Sequence, residues 1–140
     1  MAIIISDLET VANLCWGLTF FGTGGGGRVE AGFDLLAPAV RAGRKLTLVD
    51  PGELSETDWT CWAIIVGGKD PEEPPAAHEL AASGLHREEF PTIVPRLVES
   101  AKALSESAGI QLGALVSMEL SSAATAATIL TGLELGIPTI

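Results

Sequence analysis

The most constraining feature of this sequence is a glycine-rich segment, Phe21–Arg28, in which five of the six positions 22–27 are glycine. Glycine lacks a Cβ atom, so it adopts positive φ and lets another group approach the main chain. Ordering a glycine on folding costs roughly 0.5–1 kcal/mol more than ordering an alanine. Such a run is therefore expected where a close approach or an unusual backbone conformation is required.

Helical patterns flank the glycines on both sides. Ser6-Asp7-Leu8-Glu9 has the form of a capping box with Ser6 as the cap, which predicts a helix that begins at Asp7. Apolar residues then recur at helical spacing from Leu8 to Thr19, and a second apolar stripe runs from Phe33 to Val40 and ends at Ala42-Gly43. The glycines are therefore predicted to connect two helices.

This order of elements excludes two familiar types of glycine-rich site. A dinucleotide-binding fingerprint needs a strand before the glycines, and a phosphate-binding P-loop ends in Gly-Lys-Ser/Thr. Two interpretations remain open. In one, N–H groups at the start of the second helix bind an anion or a developing oxyanion, which the helix dipole favours. In the other, the glycines form a close-packed turn between the helices.

Strand and helix patterns alternate along the rest of the chain. Apolar runs predict strands at Lys45–Val49 and Cys61–Val66, both buried on two faces, and at Gln111–Met118. Helical spacing predicts helices over residues 89–108 and 122–135, and a further strand begins after Gly136. The order predicts a single α/β domain over residues 1–140, with a mostly parallel sheet flanked by helices, as part of a larger fold or assembly.

Charge and hydropathy limit the classes of partner. The formal net charge is −10 at pH 7, which disfavours binding to nucleic acid and to anionic membranes. The sequence contains no basic, apolar leader and no apolar run of membrane-spanning length, so a cytoplasmic protein is expected. Cys15 and Cys61 are too few for a disulfide framework and are expected to be buried thiols.

Simpler roles are expected for the other polar and aromatic residues. His78 and His86 have no further ligands at metal-binding spacing, and the acidic run from Asp70 to Glu79 is typical of a solvated loop, so no metal site is predicted. The sequence does not identify a cofactor. The three tryptophans are expected to pack in the core or at an interface; they are Trp16, Trp59 and Trp62.

The C-terminal part of the sequence is unusually apolar. Between Ile110 and Ile140 the charged residues are Glu119 and Glu134, and the sequence ends within an apolar strand pattern. Because domain termini are usually exposed and polar, this pattern predicts that the segment is covered by a second polypeptide chain or by another copy in a homo-oligomer. The alternative is a strand at the centre of the sheet.

Several segments together resemble the N-terminal domain of the S-methyl thiohydantoin desulfurase-like family. They are the helix leading into Leu18–Gly27, the Leu46–Asp50 strand, the Gly67-Gly68 turn, and Met118-Glu119 followed by Gly136-Ile137-Pro138. The resemblance covers nearly the whole chain and implies hydrolysis of a C–N or C–S bond in a small cyclic amide or thioamide. Members often accompany hydantoinase and oxoprolinase proteins. The family's second, β-rich domain is absent from this sequence.

Residue types suggest a catalytic arrangement for such a hydrolase. Glu119 follows a predicted parallel strand, where open α/β sheets place ligands, and burial there would raise its pKa and suit it to general-base catalysis. Backbone N–H groups of the loop would stabilise the oxyanion together with Arg28. The loop residues in question are Thr23, Gly24, Gly25, Gly26 and Gly27.

Three further residues are candidates for binding a small-molecule substrate. Lys69 would meet a substrate carboxylate, and Ser117 and Ser121 would orient the substrate. Capping of the last helix is the alternative for Ser121 and Ser122, and a helix-terminal carboxylate bound to backbone N–H groups is the alternative for Glu119.

A second class of function stays open. The family pattern follows its glutamate with Gly-Gly and an Asn, whereas this chain has Leu120-Ser121-Ser122 and Thr125. That difference favours a non-catalytic assembly subunit of a hetero-oligomeric complex, while the intact glycine loop favours the hydrolase.

Overall fold

The computed structural model describes residues 2–23, 28–62, 64 and 93–140, which form a mixed α/β arrangement. The helices are α1 (Leu8–Phe21), α2 (Val29–Arg41), α3 (Ile93–Ala108) and α4 (Ser122–Leu135). The strands are β1 (Ile3–Ile5), β2 (Leu46–Leu48), β3 (Trp59–Cys61) and β4 (Leu112–Leu115), and a 3-10 turn at Pro51–Glu53 follows β2. The sequence predicted the bounds of α4 and the glycine stops of α2 and α3, where Gly43 and Gly109 have positive φ. It did not predict β1.

The strands form two pairs of opposite sense. β1 pairs with β2 in antiparallel register, with Ile4 opposite Thr47, and β3 pairs with β4 in parallel register, with Cys61 opposite Leu115. The prediction of a mostly parallel sheet is therefore not confirmed, since one of the two pairs is antiparallel. The coarser assignment to the α/β class is confirmed.

The C-terminal segment joins the two strand pairs. Thr139 forms parallel bridges to Leu48 of β2 and Leu115 of β4. The N–H of Val49 donates to the Thr139 carbonyl at 2.9 Å, and the N–H of Leu115 donates to the Pro138 carbonyl at 2.9 Å. Thr139 is buried as a result. The apolar pattern at the C-terminus predicted a covering partner, but contacts within the chain explain it. The segment lies between β2 and β4, which was the alternative interpretation.

One cluster of buried side chains holds the helices against β1 and β2. Its buried members include Val11 and Cys15 of α1, Leu36 of α2, Leu46 of β2 and Ile129 of α4. A second, smaller cluster around Ala101, Leu112 and Leu115 packs α3 against β4. Burial of such side chains is the main source of stability, at about 25 cal/mol per Å² of apolar surface. Because α4 contributes to the first cluster and adjoins β4, the start of α4 is fixed relative to both α1 and α2.

The first helix begins one residue later than predicted and uses a different cap. Asp7, not Ser6, is the N-cap residue, and its carboxylate accepts hydrogen bonds from the Thr10 N–H and the Thr10 hydroxyl, both at 2.8 Å. Asp and Ser are similarly favoured at this position, so the sequence alone did not choose between them. The hydrogen bonds from Thr10 hold the pKa of the Asp7 carboxyl below its ordinary value.

This cap makes α1 sensitive to acid. A carboxyl whose pKa is lower in the folded state stabilises the fold fully above its unfolded pKa, near pH 4, and loses that contribution as the pH falls through the folded pKa. We expect acidification from about pH 6 to about pH 3 to lower the melting temperature of the wild type more than that of Asp7→Asn, which still accepts the cap hydrogen bonds but does not titrate. Melting followed by circular dichroism measures the difference, and equal slopes for the two proteins would contradict it.

One predicted strand differs clearly from the observed one in position. β3 spans Trp59–Cys61, whereas the predicted strand began at Cys61 and continued to Val66; residues 63, 65 and 66 lie outside the described part of the chain. Trp59 and Thr60 are exposed, so β3 is not buried on both faces. Within the described ranges, its pairing partner is β4. Among the described helices, none has the length and apolar character needed to cross a membrane.

Candidate functional site

The end of α1 and the segment after β4 meet at the carboxyl edge of the parallel strands. A Cβ atom built on Gly22, the C-cap residue of α1, would lie 3.3 Å from the Leu120 carbonyl carbon and closer still to its oxygen. Only glycine permits this approach of two backbones. The entrance to the glycine-rich loop is therefore held against the Glu119–Ser121 segment, which contains two of the predicted site residues, Glu119 and Ser121.

The first turns of α2 and α4 are also in direct contact. The Ser122 hydroxyl donates to the Val29 carbonyl at 3.2 Å. A Cβ atom on Gly32 would lie 2.5 Å from the Ser122 carbonyl oxygen and 2.8 Å from its carbonyl carbon, so glycine is required there too. These contacts bring the N-termini of two helices together, and helix N-termini carry partial positive charge and unsatisfied N–H groups. A helix N-terminus without an acidic residue favours an anion; at this junction the first turn of α2 carries Glu30, and the first turn of α4 has no acidic residue.

The backbone of Glu119 is tightly fixed. Its carbonyl oxygen accepts hydrogen bonds from the Ser117 hydroxyl at 2.8 Å, the Thr125 hydroxyl at 2.9 Å and the Ser121 N–H at 2.9 Å. The Ser117 and Thr125 hydroxyls also lie 2.9 Å from each other. Ser117 therefore positions the Glu119 backbone.

The side chain of Glu119 is exposed to solvent. The sequence predicted that burial would suit this carboxylate to general-base catalysis. Glu119 is not buried, so that expectation is wrong. The segment leaves the sheet at the end of β4 and turns back into α4, so its outermost residues project from the edge rather than into the core. Glu119 does occupy the predicted place next to the start of α4.

Neither Ser121 nor Ser122 caps α4 with its hydroxyl. Ser121 has the extended N-cap conformation, with φ −145° and ψ 152°, but its side chain makes no cap hydrogen bond. The Ser122 hydroxyl is used on Val29 instead. The sequence therefore predicted the cap position correctly for Ser121, but not a cap hydrogen bond from either hydroxyl. The Ser121 hydroxyl is buried and has no hydrogen-bond partner among the described residues.

The glycine loop is described only at its two ends. Thr23 has a positive φ of 50°, which is uncommon for a residue other than glycine, and it directly follows the last turn of α1. Arg28 is the N-cap residue of α2, makes no side-chain cap hydrogen bond and is exposed. Gly24, Gly25, Gly26, Gly27 and Lys69 lie outside the described residues.

The two cysteines are buried and free, as predicted. Burial raises the pKa of both thiols, and for Cys15 a hydrogen bond with Ser122 acts in the opposite direction. Thiols whose pKa is raised are poor nucleophiles near neutral pH, which agrees with the packing role predicted for both cysteines. The Cys15–Ser122 interaction also shows that α1 packs directly against the start of α4.

Several large apolar side chains are exposed around this edge. Phe20 is 78% and Phe21 70% exposed, and their rings form an edge-to-face pair with centroids 5.5 Å apart. Trp16 lies one turn earlier on α1, and Met118 and Leu120 lie on the segment that Gly22 approaches; all three are exposed. The tryptophans are therefore not core residues, since Trp59 and Trp62 are also exposed.

A separate cavity of about 380 Å³ lies beside β2 and the C-terminal end of α4. Lys45, Thr47, Gly136 and Pro138 contribute to its lining. It contains none of the residues that the sequence analysis assigned to a site. Within the described ranges, no group of three or more His, Cys, Asp or Glu side chains is arranged to hold a metal ion, and His78 and His86 lie outside those ranges.

The fold and the junction together define an α/β domain with two helix N-termini converging at the carboxyl edge of its parallel strands. The family model for S-Me-THD-like proteins, N-terminal domain, matches residues 9–140, so this chain belongs to that family. No curated protein and no solved structure matches the chain.

Two residues of the junction were missed by the sequence analysis. Gly32 makes the contact between α2 and α4, and an isolated glycine inside a helical pattern is a recognised sign of close packing. Thr19 of α1 has a buried hydroxyl without a partner among the described residues. Its place in an apolar helical stripe gave no sign of a polar role.

Proposed function

We propose that this chain is a domain or subunit of a hydrolase that acts on a C–N or C–S bond of a small cyclic amide or thioamide of the hydantoin type. The supporting observation is the convergence of the glycine-loop entrance, Glu119 and the first turns of α2 and α4 at one edge. Membership of the S-Me-THD-like family supports the substrate class.

The reaction needs a site for the negative charge that develops when water adds to the ring carbon. In an S-methyl thiohydantoin, a new C–O bond forms at the carbon that carries sulfur, the C–S bond breaks, and methanethiol leaves with a proton. The N–H groups at the start of α2 and the Arg28 guanidinium would stabilise this charge, which develops on the ring nitrogen of an S-methyl thiohydantoin and on the carbonyl oxygen of a hydantoin. The Glu119 carboxylate would take the proton from the attacking water. Ser117 supports this role of Glu119 by fixing the Glu119 backbone.

Turnover of two probes tests this proposal. The purified chain is incubated with an S-methyl thiohydantoin and with hydantoin, and released thiol and ring-opened product are followed by mass spectrometry. We expect Glu119→Gln to lower the rate by about a hundredfold, which is the lower range for loss of a general base. Glu56→Gln, which changes an exposed acid in the turn before β3, is the matched control and should leave the rate unchanged. Equal rates for the wild type and Glu119→Gln would overturn the assignment of the base.

A second candidate function is a non-catalytic assembly subunit. The exposed aromatic pair Phe20–Phe21, with Leu120 and Met118 close by in the chain segment that meets α1, favours it because exposed apolar clusters are typical of protein interfaces. In that case we expect Phe20→Ser to lower the mass of the complex measured by sedimentation. Leu104→Ser, at an exposed leucine of α3, should not change it. An unchanged mass for both variants, together with turnover by the isolated chain, would exclude this alternative.

A further inference from the structure

Two buried side-chain hydroxyls without hydrogen-bond partners stand out among the described residues, those of Thr19 and Ser121. Buried polar groups in folded proteins nearly always have a partner, so each exception calls for a physical reason. The two residues are distant in sequence, and each belongs to one side of the junction between α1 and α4.

The contacts around Thr19 place it on the face of α1 that meets the start of α4. Cys15 lies one turn before Thr19 on the same face, because residues four apart are neighbours on a helix. The Cys15 thiol interacts with Ser122, and Gly22, the residue that ends α1, approaches Leu120. Thr19 lies between these two contacts along α1. Its hydroxyl therefore belongs to the same junction as that of Ser121.

Among the residues that the structure describes, no side chain caps the N-terminus of α4. Asp7 and Glu9 supply negative charge at the start of α1, and Glu30 does so in the first turn of α2. The first turn of α4 contains no acidic residue. The hydroxyl of its N-cap residue, Ser121, makes no hydrogen bond to the N–H groups of that turn. The partial positive charge of this helix end is thus available to a ligand.

We propose that the hydroxyls of Thr19 and Ser121, together with the N-terminus of α4, bind the carboxylate group of a small ligand. Two hydroxyl donors and the first-turn N–H groups match the two acceptor oxygens of a carboxylate. Both hydroxyls are buried and have no hydrogen-bond partner among the described residues, so each has a donor to offer. The identity of the ligand rests on the proposed function. If the chain acts on a cyclic amide, the carboxylate is a substituent of that substrate.

Binding of matched probes by the full chain tests the inference. Hydantoin, hydantoin-5-acetic acid and acetate are titrated calorimetrically into the wild type, Ser121→Ala and Thr19→Val. We expect the wild type to bind hydantoin-5-acetic acid about tenfold or more tightly than hydantoin, and each variant to lose most of this preference, because hydrogen bonds to a charged group are stronger than neutral ones. Thr131→Val is the matched control, since it removes a buried hydroxyl of α4 that already donates to the Ala127 carbonyl. It should keep the preference.

The outcomes separate this inference from the proposed function. Equal affinity of the wild type for the two hydantoins, or a preference that both variants retain, would overturn the carboxylate site. Turnover of hydantoin without any preference for the carboxylated probe would overturn it while supporting the hydrolase. Binding of acetate that Ser121→Ala and Thr19→Val both weaken, without turnover of any probe, would support the carboxylate site and count against the hydrolase.

Discussion

Replacing Gly32 with alanine is expected to destabilise the protein by about 3 kcal/mol or more, because the added methyl group overlaps the Ser122 backbone. The new Cβ would lie 2.5 Å from the Ser122 carbonyl oxygen and 2.8 Å from the carbonyl carbon. A backbone carbonyl cannot move aside by a change of rotamer, so α2 and α4 must separate. That movement would also break the hydrogen bond from the Ser122 hydroxyl to Val29.

Gly17→Ala is the matched control for this substitution. Gly17 also lies inside a helix, but a Cβ atom there has no neighbour within 4 Å. Alanine is favoured over glycine in helices, so we expect Gly17→Ala to stabilise the protein by about 0.5–1 kcal/mol. Urea unfolding followed by circular dichroism gives both free energies of unfolding. A Gly32→Ala variant as stable as Gly17→Ala would mean that α2 and α4 are not in contact at this point.

The Gly32→Ala variant also tests the functional proposals. If the converging first turns of α2 and α4 bind the substrate, Gly32→Ala should lose activity under conditions in which the variant remains folded. Gly17→Ala should keep it, because Gly17 is not part of the junction. Retained activity in a folded Gly32→Ala protein would place the substrate elsewhere.

Replacing Leu36 with alanine is the second change with a large expected effect. Leu36 is fully buried in the cluster that joins α1, α2 and α4 to β1 and β2. Removing a buried leucine side chain loses its transfer free energy and leaves a cavity, which together cost about 2–5 kcal/mol. The whole stability of a domain is typically about 5–15 kcal/mol, so the variant would be close to unfolding at physiological temperature.

Leu104→Ala provides the comparison for Leu36→Ala. Leu104 also lies on a helix, α3, but is 48% exposed, so its loss should change the free energy of unfolding by no more than about 0.5–1 kcal/mol. Thermal and urea unfolding of the two variants measures the contrast. Similar losses in both would indicate that the α1–α2–α4 cluster is not the main core.

Local features of the sequence predicted much of the helical structure. The stop of α2 at Ala42-Gly43 and that of α3 at Gly109 follow from the ease with which glycine takes positive φ, and both glycines have it. The bounds of α4 follow from its helical composition between Ser121 and Gly136. These properties depend on neighbouring residues only, so a single sequence carries them. The choice of Asp7 over Ser6 as the cap of α1 is a difference of one residue between two good caps.

Contacts between distant residues decided the rest. The pairing of β1 with β2, the place of Thr139 between β2 and β4, and the approach of Gly22 to Leu120 each join segments far apart in sequence. No local pattern encodes such a pairing. The exposure of Glu119 and the burial of the Ser121 hydroxyl likewise depend on how the segment after β4 turns back into α4.

The sequence by itself thus determined the α/β class, the helices and the resemblance to the S-Me-THD-like family, because periodicity, glycine stops and characteristic segments are local. Tertiary structure alone decided that Gly22 meets Leu120 and that Gly32 meets Ser122, because packing of α1, α2 and α4 around a common core brings those positions together.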